Sequence, residues 1–248
     1  MRRRDLLAIG GAMCVAIAIP PVLRRLPSDF DFEPLTDFPG FRRMAGGAVS
    51  GNNIALIGLD DRLPTPYDPP PKALLDPCLA LFGPEGYTPE KLPVAIFSDF
   101  NCPYCKILDK RLVTLRDSGA PVRLIWHEMP LLGPSSYRSA KAVLAAGFLG
   151  KAEAARDYLW NRSLRPGPSA LAEMAEALDL LPTMLQREFD GARVVNALAA
   201  DLDLGSRLGL PGTPSVVIGR TLVIGAIKDA DLKKLIDLER SEPQGVCL

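Results

Sequence analysis

The chain has 248 residues, 48% of them apolar, and its 29 basic and 29 acidic side chains leave a formal net charge of zero. That length can bury a sizeable core, most simply one domain with extensions, and the balanced charge gives no reason to expect a nucleic-acid partner. Helix-forming stretches alternate with short β-branched runs, which points to an α/β class.

Residues 1–23 read as an export signal or an N-terminal anchor. Met1-Arg2-Arg3-Arg4 is a basic start, and the apolar stretch over 6–19 ends at Pro20-Pro21. That stretch is short for a membrane span, which needs about 20 residues; continued through residue 23 it could instead be retained as an anchor. Arg3-Arg4-Asp5-Leu6-Leu7 is similar to a twin-arginine signal, with Arg2 where Ser or Thr is usual, and an ordinary Sec signal is the other reading. Ala16-Ile17-Ala18 offers a small-x-small cleavage site. By either route the body of the protein is expected to be exported or periplasmic.

Residues 24–92 read as an extension rather than a domain, and "LPTPYDPPPK" over 63–72 is a semi-rigid connector. A short strand over 53–59 is expected before it and a helical segment over 72–82 after it. From residue 93 the pattern becomes periodic. A buried strand over 94–97 leads into a helix over 103–115, capped by Asn101 or Cys102 with Pro103 in its first turn. A strand over 122–126 completes a βαβ unit. Helices follow over 135–149, 152–162, 169–180 and 192–208, broken at Gly150, Pro166-Gly167-Pro168 and Pro182. Strands over 215–218 and 221–224 form a hairpin across Gly219-Arg220, and an amphipathic helix over 229–238 precedes a tail over 241–248.

Five cysteines are present: Cys14 in the signal, Cys78, the pair Cys102 and Cys105, and Cys247. Removal of the signal leaves an even number in a compartment where disulfides persist, so a structural pair between Cys78 and Cys247 is expected, with two free thiols as the alternative. The Cys102-Pro103-Tyr104-Cys105 motif has three readings. A zinc site needs four ligands, and one such motif with the single histidine, His127, does not supply them. A bracing disulfide within one helical turn constrains almost no chain. Redox exchange fits the spacing, because a cysteine at a helix start sees unpaired N–H groups and the positive end of the dipole, which stabilise its thiolate.

"VAIFSDFNCPYCK", "WHEMPLLGPSSYRSAKAVLAA" and "LGLPGTPSVVIGRTLVIGAI" together resemble the DsbA-like family of the thioredoxin superfamily over roughly residues 92–240. The resemblance implies an α/β thioredoxin fold over 93–240, a central mixed sheet flanked by helices, with a helical insertion domain over about 133–208. It makes Cys102 the nucleophile and Cys105 the resolving thiol. Pro103 and Tyr104 become the dipeptide that tunes potential, Pro214 a cis-proline beside the disulfide, and Thr213 a source of backbone hydrogen bonds to a substrate chain. Asp99 either assists proton transfer to Cys105 or is a strand-end carboxylate. His127 reads as a strand-end polar residue, and Trp126, Tyr158 and Trp160 as packing.

The implied activity is thiol–disulfide exchange on cysteine-containing exported proteins, forming, reducing or isomerising their disulfides. No metal and no cofactor beyond the Cys102–Cys105 disulfide is expected, a membrane redox partner would recycle the pair, and the protein is expected to be a monomer. Pro-Tyr and Thr213 depart from the Pro-His and Val of the family's strongest oxidases. The alternative from another class is a Cu(I)-binding metallochaperone or substrate-holding module on the same fold, using the two thiolates.

Overall fold

The computed structural model describes residues 29–51, 76–88, 90–242 and 247. The export signal, the strand expected over 53–59, the connector over 63–72 and the first part of the helix expected over 72–82 lie outside them. In chain order the elements are β1 (Phe32–Pro34), β2 (Arg42–Ala45), α1 (Pro77–Phe82), β3 (Leu92–Ser98), α2 (Pro103–Asp117), β4 (Val122–Glu128), α3 (Pro134–Phe148), α4 (Ala152–Asn161), α5 (Pro168–Ala177), α6 (Pro182–Asp190), α7 (Ala192–Arg207), β5 (Ser215–Ile218), β6 (Thr221–Ile224) and α8 (Asp229–Ser241).

One mixed sheet runs in the order β1-β2-β6-β5-β3-β4. Every residue of β3 is buried, as befits a strand with neighbours on both sides and cover on both faces. It runs parallel to β4, with Ile96 opposite Trp126 and Ser98 opposite Glu128, and antiparallel to β5. Alternate side chains of β3 serve opposite cores. Leu92, Val94 and Ile96 pack with Leu108 and Leu112 of α2 and Leu232 and Leu235 of α8. Ala95 and Phe97 pack on the other face with Leu81 and Phe82 of α1 and Leu204 of α7.

The helices between β4 and β5 hold a core of their own, built from Ala146, Leu159, Met174, Leu185 and Val194 among others. Helix α7 belongs to both bodies, with Val194 in the insertion core and Leu204 in the sheet core. Pro182, read from the sequence as a break, instead opens α6 as a first-turn residue, where its missing N–H leaves nothing unsatisfied.

The extension contributes more than the sequence indicated. β2 adds in parallel to β6, and β1 pairs with it as an antiparallel edge. Arg42 fixes this addition: its guanidinium pairs with the buried Glu239 of α8 at 2.8 Å, donates to the Thr221 hydroxyl at 2.8 Å, and lies over the Phe32 ring. Cys78 and Cys247 form a disulfide across 169 positions of sequence, tying α1 to the end of the chain.

Candidate active site

The site forms where β3 stops and α2 starts. Asp99, buried at the end of the strand, accepts four hydrogen bonds: from the Asn101 amide and the Ser136 hydroxyl on one oxygen, and from the Leu131 and Leu132 amides on the other, all between 2.6 and 2.9 Å. The carboxylate therefore knots the β3–α2 turn to the segment leading into α3. This geometry favours the structural reading of Asp99, since both its oxygens are engaged in holding backbone. Asn101 continues the knot by donating to the Ser135 hydroxyl at 2.6 Å.

With that turn fixed, Cys102 becomes the N-cap of α2, and its sulfur accepts from the Cys105 amide at 3.3 Å. Pro103 occupies the first helical position, and Tyr104, 39% exposed, faces outward. Cys105 sits one turn in, buried behind Cys102, and both thiols are free. The Thr213–Pro214 peptide is cis, and the Thr213 carbonyl stands 3.4 Å from the Cys102 sulfur. Elements more than 100 residues apart in sequence thus meet at one sulfur.

The two thiols titrate in opposite directions. The hydrogen bond from the Cys105 thiol outweighs burial and brings the Cys102 pKa down to about 5, helped by the Ser50 hydroxyl and the Cys105 amide. The Thr213 hydroxyl makes no hydrogen bond of ordinary length and acts on Cys102 only as the weakest of these dipoles. Burial pushes the Cys105 thiol up, and its bond to Cys102 pushes it further. The result is one thiolate at the helix start and one protonated thiol behind it.

Beside Cys102 lies a recess of about 220 Å³ whose lining includes Phe100, Pro103, Lys106, Trp160 and Arg162. One wall, residues 159–163, belongs to the insertion, and buried polar contacts hold it in place. Arg156 of α4 pairs with Glu128 at the end of β4 and lies over the Trp126 ring. The indoles of Trp126 and Trp160 both donate to Asp109, at 2.6 and 3.0 Å. Burial raises the Asp109 pKa and lifts Glu128 to about 7.

His127 sits near the end of β4, and its side chain is a buried tie. Its Nδ1 meets Asp201 of α7 at 2.8 Å, its Nε2 meets the Leu81 carbonyl at 3.0 Å, and its ring stacks on Phe97. Burial opposes its charge, but Asp201 more than compensates and raises its pKa. Among the described residues no group of three or more His, Cys, Asp or Glu side chains is arranged to hold a metal.

Residues near the site that the sequence does not single out as site residues are Ser50, Lys106 and Arg156, while Asn101 reads as a cap candidate and Trp160 as packing. Of these, Asn101 carries a local signal, as a candidate cap of the helix over 103–115. The others owe their roles to contacts across the fold.

Residues 93–237 match the family described as DSBA-like thioredoxin domain. Among curated proteins, a Na(+)/H(+) antiporter NhaA 3 from Salinispora tropica is 28% identical over 134 residues, 52% of this chain, which spans only 21% of that relative's length. A thioredoxin-like oxidoreductase from Silicibacter pomeroyi is 32% identical with a TM-score of 0.59, covering 66% of this chain and 98% of that one. The thiol-disulfide exchange protein alpha-DsbA2 from Wolbachia pipientis shares the fold at 21% identity and a TM-score of 0.58, over 64% of this chain and 90% of that one. The chain belongs to the DsbA-like thioredoxin domain family.

Proposed function

We propose that this DsbA-like domain is a thiol–disulfide oxidoreductase that exchanges disulfides with cysteines of other exported proteins through Cys102 and Cys105. The observation that carries the reading is the Cys102 sulfur at the start of α2, bonded to the Cys105 amide at 3.3 Å and facing the cis Thr213–Pro214 peptide, with Cys105 one turn behind it. The Cys102 thiolate attacks one sulfur of a substrate disulfide, forming a mixed disulfide and releasing the other substrate sulfur as a thiolate. Cys105 then loses its proton and attacks Cys102, which releases the second substrate thiolate. The substrate gains two electrons and the pair loses two. Run in reverse, the same steps form a substrate disulfide and leave the pair reduced, to be reoxidised by a membrane redox partner.

A Cys102 pKa of about 5 lies between the roughly neutral value of thioredoxin and the value of about 3.5 in the strongest oxidase of this superfamily. A stabilised thiolate favours the reduced pair and so makes the oxidised form the better oxidant. The domain thus suits net oxidation or isomerisation of intermediate strength better than the reduction typical of a near-neutral thiol. Export is supported by the basic and apolar N-terminal sequence, and the Cys78–Cys247 disulfide suits an oxidising compartment.

The test is exchange with a peptide disulfide. Cys102→Ala should abolish turnover, and Cys105→Ser should accumulate a mixed disulfide at Cys102, seen as a mass adduct that dithiothreitol removes. Unchanged turnover in Cys102→Ala would end this reading.

A further inference from the structure

The backbone edge at Thr213, expected to receive a substrate chain, is already occupied by the protein itself. Ser50 pairs antiparallel with Thr213: the Ser50 amide donates to the Thr213 carbonyl at 2.6 Å, and the Thr213 amide donates to the Ser50 carbonyl at 2.7 Å. Two residues earlier the Ala48 carbonyl accepts from the Ala226 amide at 3.0 Å. This segment meets the cis-proline loop through an isolated antiparallel bridge at Ser50 and the stretch after β6 through Ala48.

It is fitted there closely. A Cβ on Gly47 would stand 2.4 Å from the Ala226 carbonyl oxygen, one on Gly51 would stand 2.4 Å from that of Pro211, and one on Gly212 would stand 2.4 Å from that of Ser50. Real Cβ atoms do not come so close to backbone oxygens, so glycine on both sides is what lets the two backbones meet. Val49, 37% exposed, turns outward as alternation requires.

The position of Ser50 is chemically pointed. Its amide and the Cys102 sulfur converge on the same Thr213 carbonyl, and its hydroxyl is near enough to help lower the pKa of that sulfur. A sulfur in place of the hydroxyl oxygen would stand beside the nucleophile. Cys102 itself is only 1% exposed, a degree of cover at odds with a thiolate that must reach a second protein.

We propose that residues 46–51 are a resident pseudo-substrate: they hold the strand position that an extended cysteine-bearing segment takes during exchange, with Ser50 where the substrate cysteine goes, and they must leave before a protein substrate can react. The inference rests on Cys102 being the nucleophile. It also defines the preferred partner, an unfolded or loop segment that pairs antiparallel with Thr213 and carries a small residue directly after its cysteine, where Gly51 now sits.

Two variants test it. In Ser50→Cys with the Cys102–Cys105 disulfide formed, the new thiolate attacks the Cys102 sulfur and Cys105 leaves as a thiolate that takes up a proton, with no net oxidation. Peptide mapping should find position 50 linked to Cys102 and Cys105 free to alkylation. Gly47→Val should dislodge the segment, raise the alkylation rate of Cys102 and increase kcat/KM at least fivefold for a disulfide-bonded peptide with Gly after its cysteine, with a smaller gain when Val follows. A folded Ser50→Cys protein without that link, or a Gly47→Val protein whose kcat/KM is unchanged or lower, would overturn the proposal. Loss of all exchange in Cys102→Ala alongside unchanged kinetics in Gly47→Val would leave the enzymatic reading standing and remove the pseudo-substrate alone.

Discussion

Lowering the pH should discharge Cys102 near pH 5, against 9.0 for an ordinary cysteine. At pH 7 that leaves about 99% of Cys102 ionised, compared with about 1% of an unperturbed thiol, a gain of roughly 100-fold in thiolate. Intrinsic nucleophilicity falls with pKa at a Brønsted slope of about 0.4–0.5, which over four units removes roughly 40- to 100-fold. The rate at pH 7 is therefore a poor probe, and the midpoint of its pH dependence is the informative one. Iodoacetamide labelling of Cys102 followed by mass spectrometry should rise and level off with a midpoint near 5, and Cys105→Ala, which removes the largest stabilising hydrogen bond, should move the midpoint upward.

The same shift has a thermodynamic counterpart. A folded pKa below the unfolded one contributes stability that is complete above the unfolded pKa and is lost as pH falls through the folded pKa. At pH 7, about two units above the folded value, this contribution is about 2.7 kcal/mol for the dithiol protein, most of it gone by pH 5. Urea unfolding of the dithiol protein and of Cys102→Ser between pH 4 and 7 isolates this contribution, because other titrating groups cancel in the difference. A labelling midpoint above 8, or equal pH slopes for the two proteins, would refute the electrostatic argument.

Asp99→Ala should destabilise the fold by about 3 kcal/mol or more in urea unfolding, since it strands three amides and a hydroxyl at roughly 1–3 kcal/mol for each that stays buried. Cys78→Ser opens a link across 169 positions, and the chain-entropy model sets the loss at about 5 kcal/mol; unfolding measured with Cys102 and Cys105 kept reduced should register it while exchange at Cys102 persists. Glu128, raised by burial from 4.5 to about 7, favours the folded state most when protonated. Its contribution is complete below pH 4.5 and declines as pH rises through 7, so Glu128→Gln should flatten the pH dependence of stability across that window.

What could be read from the sequence follows the range of the interactions involved. The Cys102 cap, Pro103 in the first turn and the alternating faces of β3 are decided by residues within one or two turns, and the expected elements from residue 93 onward are present with small changes at their ends. Pro182 misled because proline both ends and begins helices, and only the packing of Leu185 into the insertion core selects the second role. β1 and β2 carry weak local signals: they are 3 and 4 residues long, and β2 is held by Arg42 through Glu239, which lies 197 positions away. His127 looked incidental because its partners, Leu81 and Asp201, come from α1 and α7.

Ser50 is the extreme case. Nothing in a serine between small residues announces a catalytic neighbour. Its placement depends on a parallel strand pairing that carries the chain from β2 along β6, on glycines that let it descend onto the cis-proline loop, and on the Thr213 amide and carbonyl, both of which it pairs. An edge of that kind attracts a strand because buried amides and carbonyls must be matched. The pair of hydrogen-bonding groups that the resemblance assigns to a substrate is therefore also a place for the protein's own chain to settle, and under the pseudo-substrate proposal the two would compete for the same pair of hydrogen bonds.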